Sequence, residues 1–125
     1  MPLNEDSPVI PGDIYWITLG PQGGREQQGR RPCIVMSRLS VSKGNPVVVV
    51  PMTTNLGRAN AYNIKIPHQE IVRDIASRSV IEDSVALCGQ CFAIDKRKFE
   101  DRLGKLSHTA LLAVQLGLGY LFDIP

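Results

Sequence analysis

The apolar residues of this chain arrive in short runs rich in β-branched and aromatic side chains, each soon broken by glycine, proline or a polar cluster. Only after Ser107 does an apolar pattern keep helical spacing over several turns. Runs that short, bounded by turn residues, build a core from strands rather than helices. The expected elements are strands at 13–19, 32–37, 47–50, 62–66, 84–88 and 90–94, the last two separable at Gly89. The unbroken valines at 47–50 indicate a strand buried on both faces. Residues 40–46 read as a turn, and residues 67–82 are too mixed to assign. A short helical turn is expected from Asp95, as its N-cap, until Gly104, and a final helix begins at a Ser107 cap. Leu111, Val114 and Leu118 form that helix's apolar stripe, with Leu112 widening it.

The fold class that follows is mainly β with a C-terminal helix: five to seven short strands in a small closed or half-closed barrel, with the helix over one open side. Residues 1–11, with three prolines, read as an irregular N-terminal arm, and residues 12–125 as a single domain. The ten residues from Gly20 to Gly29 hold four glycines and a proline. A loop of that length inside a compact domain usually carries function.

Composition narrows the function. With 14 Lys+Arg against 12 Asp+Glu the formal charge is only +2, so any nucleic-acid site must be local rather than a basic coat. Arg25, Arg30, Arg31 and Arg38 do cluster, which suits phosphate, although charge alone favours a solvated loop. Three cysteines make an odd number, which argues against a disulfide framework. Cys88 and Cys91 form a C-x-x-C inside a strand-like stretch, whereas a redox pair needs a helix N-terminus. Cys33, His68 and His108 stand at no familiar zinc spacing. The thiols are therefore read as small hydrophobes, both histidines as surface residues, and no metal or cofactor is expected. No apolar run reaches spanning length and the polar start is no signal peptide, so the cytoplasm is the expected location.

There is no P-loop, no G-x-S-x-G and no H-E-x-x-H. What remains is polar residues at strand ends: Arg25 to Gln28 in the glycine loop, Arg30, Arg31 and Ser37 around the second strand, Thr53 to Asn55 after the valines, and Asp83, Ser84 and Gln90 later. Each alone reads equally well as turn formation or capping.

Taken in order, they resemble one family, the MazF/PemK toxins. Gly12-Asp13-Ile14-Tyr15-Trp16 is similar to the family's opening strand, and Gly24-Arg25-Glu26-Gln27-Gln28-Gly29-Arg30-Arg31-Pro32 to its signature loop. Val50-Pro51-Met52-Thr53-Thr54-Asn55, then Asp83-Ser84-Val85-Ala86-Leu87-Cys88-Gly89-Gln90, then Ile94-Asp95-Lys96-Arg97 and Leu103-Gly104-Lys105-Leu106 resemble its later segments. The resemblance implies an SH3-like β-barrel, the fold of MazF, PemK and CcdB toxins. It implies a homodimer, sequence-selective, metal-independent cleavage of single-stranded RNA, and a cognate antitoxin whose disordered tail covers the groove. DNA association would then be only indirect, through the antitoxin, with no membrane partner.

Carried over residue by residue, the resemblance makes Arg31 and Thr53 the catalytic pair. Arg31 would grip the nonbridging oxygens, and the Thr53 hydroxyl would donate to the phosphorane or orient the 2′-hydroxyl. Glu26 is either a general base or the partner that pins Arg30 or Arg31. Arg25, Arg30 and Thr54 are further RNA contacts, and Gln27, Gln28, Ser37, Asn55 and Gln90 are amide and hydroxyl readers of base edges. Arg31 is expected in an exposed loop, so its loss should leave the fold intact. Some family branches use a His, Arg and Asp set; those positions here hold Arg25, Leu87 and Gly89. Gln90-Cys91-Phe92-Ala93 stands where the family often has Arg-Thr after the glutamine, leaving Phe92 as a base-stacking or a core residue. Two rival functions share the fold: a gyrase-directed toxin, and a catalytically inactive SH3-like binding or regulatory module. The tail from Gly119 to Pro125 does not resemble that of the gyrase-directed class.

Overall fold

Strand β1, Asp13–Leu19, forms where the aromatic and β-branched run predicts, and it organises the sheet because both its edges are paired. The structure, a computed structural model, describes residues 8–20, 29–38 and 46–125. β2 is Gly29–Val35 and β3 is Val47–Thr53. Three-residue strands follow: β4 Ile64–Ile66, β5 Ile71–Arg73, β6 Ser84–Ala86 and β7 Phe92–Ile94. β8 is Phe99–Leu106, and helix α1, His108–Leu121, closes the chain. The strands run in the order β4-β6-β3-β2-β1-β8-β5, with β7 on the other stretch of β3, every pair antiparallel. The path curls into a nearly closed barrel with one C-terminal helix, as expected.

Alternation along β1 to β3 feeds two cores. Ile14, Ile34, Val50 and Met52 face the first, which α1 covers with Ala110 and Val114. Tyr15, Ile17, Cys33, Val35, Val47 and Val49 face the second, with Phe99 and Val9. The valine run is thus buried on both faces, as its continuity predicts. Val9 shows that the end of the arm docks although it has no regular structure. Phe92 packs against the second core, which favours its core reading.

Several elements depart from expectation. β2 starts at Gly29, because Leu19, Thr18 and Ile17 pair with Gly29, Arg30 and Arg31. Arg31 is therefore a half-buried strand residue and not a loop residue. β3 runs on through Pro51 to Thr53; Pro51 has no N–H to offer, but its carbonyl accepts from Leu87 N–H at 2.8 Å. The turn at Asp95 is a single 3-10 turn, Lys96–Lys98, capped by Asp95 Oδ1 on Arg97 N–H at 2.9 Å. Gly104 ends no helix. It lies inside β8, where a Cβ would sit 2.1 Å from the Val72 carbonyl oxygen, so only glycine lets β5 close on this edge. Ser107 caps α1 as expected, its Oγ accepting from Ala110 N–H at 3.1 Å. Leu112 does not widen the buried stripe; it is 49% exposed, and Gly117 instead brings the helix against Ile64 and the Tyr62 carbonyl.

Cys33 and Cys88 are buried and Cys91 half-buried. Burial pushes the Cys33 and Cys88 thiols up to about 12, the behaviour of inert packing residues. Among the described residues no helix is long and apolar enough to cross a membrane.

Candidate active site

β2 and β3 carry the two residues of greatest interest. Their register pairs Cys33 with Pro51, Ile34 with Val50 and Val35 with Val49. That pairing ends at Cys33 and Pro51, and Arg31 and Thr53 each stand two residues beyond it, on the face of the strand that carries the last paired residue. Both residues line one cleft of about 240 Å³, together with Trp16, Pro32, Met52, Thr54 and Ile81. The cleft forms where β2 begins and β3 ends, so residues from both faces of the pair reach it.

Thr53 is 8% exposed, and its Oγ1 accepts from Asn55 N–H at 3.2 Å. That bond uses a lone pair and leaves the hydroxyl proton able to donate. It arises because the chain turns sharply on leaving the strand: Asn55 Oδ1 in turn accepts from Gly57 N–H at 3.1 Å and caps a 3-10 turn, Leu56–Arg58. The charge of Arg31 is felt at Cys33, two residues along the same face, where it opposes the upward push of burial.

Arg30 also lines the cleft but is held from outside it. Its guanidinium lies 4.4 Å over the Trp16 ring, and its Nε donates to Glu100 Oε1 at 2.9 Å. Glu100 also accepts from Thr18 Oγ1 at 2.5 Å, and the Thr18 and Arg30 hydrogen bonds hold its carboxyl below the usual range. Trp16 Nε1–H donates to Ser79 Oγ at 3.0 Å.

The structure thus brings Arg30, Arg31, Thr53 and Thr54 to one cleft, with Asn55 beside it. Ser37 is not among them. It lies beyond the opposite end of β2, where its Oγ accepts from Val48 N–H at 3.0 Å, a bond that serves the β2–β3 turn. Gln90 ends the 3-10 turn Cys88–Gln90 and does not line the cleft. Arg25, Glu26, Gln27 and Gln28 lie outside the described residues.

Three features escaped the sequence reading. Trp16 reads only as a residue of the first strand, yet it forms part of the cleft wall. Val80, Ile81 and Glu82, from the stretch that resisted assignment, form another part. His68 Nδ1 meets Asp83 Oδ1 at 2.8 Å, and the same oxygen accepts from His68 N–H at 2.8 Å. The backbone and side-chain bonds from His68 lower the Asp83 carboxyl. No sequence signal marks this pair: the Ile66↔Ser84 pairing that brings the two residues together joins segments far apart in the chain. Among the described residues no group of three His, Cys, Asp or Glu side chains converges as a metal site would require.

Comparison with known proteins identifies the family. The family model for the PemK-like, MazF-like toxin of type II toxin–antitoxin system matches residues 10–122. The chain is 34% identical over 113 residues to the endoribonuclease MazF of Staphylococcus saprophyticus, covering 86% of this chain and 89% of that protein. Among solved structures it is similar to MazF (Form-I) from Deinococcus radiodurans, with a TM-score of 0.67 at 25% identity, covering 94% of this chain and 99% of that one. An endoribonuclease from a mycobacterial species, solved in complex with its cognate antitoxin, shares the fold with a TM-score of 0.67 at 16% identity over 94% and 95% of the two chains. The family match begins in the arm, passes through both strands that carry Arg31 and Thr53, and ends at the close of α1, so this chain belongs to the PemK-like, MazF-like toxins of type II toxin–antitoxin systems.

Proposed function

We propose that this chain is a cytoplasmic endoribonuclease toxin that cuts single-stranded RNA at selected sequences, without a metal, by attack of the 2′-hydroxyl on the adjacent phosphorus. The observation that carries the reading is the convergence of Arg31 and Thr53 on one cleft. In the reaction the 2′-oxygen forms a bond to phosphorus and loses its proton to a base. The bond from phosphorus to the 5′-oxygen breaks, and that oxygen takes up a proton. The products are a 2′,3′-cyclic phosphate and a 5′-hydroxyl.

The arginine fork spans two nonbridging oxygens of the phosphorane, and the threonine hydroxyl donates to the same charge or steers the nucleophile. Donors aimed at charge that develops only in the transition state usually supply the largest part of catalysis. Glu82, on the cleft wall, and Glu26, in the signature loop and outside the described residues, are the candidate bases for the 2′ proton. Bases beside the cut are read on their edges by the amide and hydroxyl side chains around the cleft, Asn55 first among them. The protein acts as a homodimer restrained by a cognate antitoxin, in keeping with its family.

The test is to incubate the purified protein with single-stranded RNA in EDTA. Fragments ending in cyclic phosphate support the reading. RNA left intact while DNA gyrase is inhibited would replace it with the gyrase-directed reading, and neither effect would leave a binding module. Substituting Glu26→Gln and Glu82→Gln separately identifies the base, because only its loss removes the acid limb of the pH–rate profile.

A further inference from the structure

A second cleft of about 630 Å³ lies next to the first, and Trp16 and Arg30 line both. That volume is in the range of pockets that take small ligands, about 300–1,000 Å³. Its outer wall is the stretch from Asp74 to Ser79. Side chains of the barrel hold this wall in place: Arg102 bonds Asp74 and also Asp13, Arg73 Nη1 donates to the Ser79 carbonyl at 3.1 Å, and Trp16 Nε1–H donates to Ser79 Oγ at 3.0 Å.

The partition between the clefts is a stacked pair of flat groups. The indole orientation is set by Ser79, and the Arg30 plane is set by Glu100 and by the ring itself. Fixed aromatic and guanidinium planes are the surfaces on which nucleobases stack, at low entropic cost because neither group must be ordered first. Arg78, on the outer wall, is exposed and has no hydrogen-bond or ion-pair partner among the described residues. A base platform and an exposed cation thus face one concavity that opens beside the Arg31–Thr53 cleft.

We propose that this second cleft is a subsite for a nucleotide flanking the one that is cut, with its base against the Trp16–Arg30 pair and its phosphate on Arg78. The proposal rests on the endoribonuclease reading for the identity of the strand. The subsite extends the RNA path past the scissile position and makes the Asp74–Ser79 wall a determinant of affinity.

Trp16 is the single tryptophan of the chain and stands between the two clefts, so its fluorescence reports binding at either, and the Arg78 variants distinguish the second cleft from the first. The probe is a 2′-deoxy oligonucleotide long enough to span both clefts, which lacks the attacking hydroxyl and stays intact. Binding should quench Trp16. Arg78→Ala should weaken binding and reduce the slope of log affinity against log salt by about 0.7, the value of one phosphate contact on a single strand. Arg78→Lys should restore most of that slope, and a base-free strand of equal length should leave Trp16 unquenched. An unchanged slope in Arg78→Ala, or equal quenching by the base-free strand, overturns the proposal. Cleavage of RNA, measured in parallel, separates the two readings. An altered slope with uncut RNA sinks the nuclease and keeps the subsite, whereas cut RNA with an unchanged slope sinks the subsite alone.

Discussion

Replacing Thr53 with valine removes one hydroxyl while keeping the branched shape that the strand end requires. Two costs separate. For stability, the Asn55 N–H loses its 3.2 Å acceptor. A hydrogen bond of this kind is worth about 0.5–1.5 kcal/mol net, and because Asn55 is exposed, water recovers part of it. With an unfolding entropy of about 2.1 cal/mol/K per residue, the expected fall in Tm is about 2–4 °C. For chemistry, loss of one donor to the developing negative charge costs about 2.7–4 kcal/mol, or 10²–10³ in kcat. Thr53→Val should therefore be a well-folded protein with cleavage slowed by two to three orders of magnitude, and Thr53→Ser should recover most of the rate. The assay is single-turnover cleavage of a single-stranded RNA, with thermal melting of the same preparations. A valine variant cutting within about threefold of the parent, under about 0.7 kcal/mol of barrier, would remove the hydroxyl from the mechanism.

Two further perturbations test the frame that positions the site. Gly104→Ala would place a Cβ 2.1 Å from the Val72 carbonyl oxygen and 2.9 Å from Arg73 Cα. Overpacking of this kind costs about 1–3 kcal/mol, read as a Tm lowered by about 4–11 °C; an unchanged melt would show that the close approach of β5 at Gly104 contributes nothing to stability. Glu100, whose carboxyl the Thr18 and Arg30 hydrogen bonds lower, contributes stability above the ordinary glutamate value of about 4.3 that is lost as pH falls through its lower folded value. Tm against pH should therefore fall less steeply in Glu100→Gln over that acid range, and superimposable profiles would contradict the assignment.

What the sequence reveals, and what it hides, follows from how each element is held. β1 and the valine run are legible because their side chains pack on both faces, so composition alone marks them. The Ser107 cap is legible because one hydroxyl makes one local bond. β8 is hidden. Its pairing with β1 shifts register between Ile14 and Tyr15 and again between Tyr15 and Ile17, which spoils the period of two. Phe99 and Leu103 then fall four residues apart and Gly104 mimics a helix stop. β5 and the stretch after it escape notice because a side-chain network anchors them, Arg102 to Asp74 and Trp16 to Ser79, and neither bond leaves a local pattern. The candidate site divides the same way. Arg31 and Thr53 are legible from motifs, whereas Trp16, Glu82 and the second cleft depend on contacts between distant segments. Ser37 was a reasonable candidate as a polar residue near a strand end, but the backbone of Val48 claims its hydroxyl.

The most direct measurement of the central claim is a double-mutant cycle between Arg31 and Thr53, read as single-turnover cleavage rates in EDTA. If both groups serve one phosphorane, Arg31→Ala and Thr53→Val will each slow the reaction strongly and the double variant will be little worse than the weaker single one. Rates whose losses simply multiply, or an Arg31→Ala protein that cuts RNA as well as the parent, would contradict it.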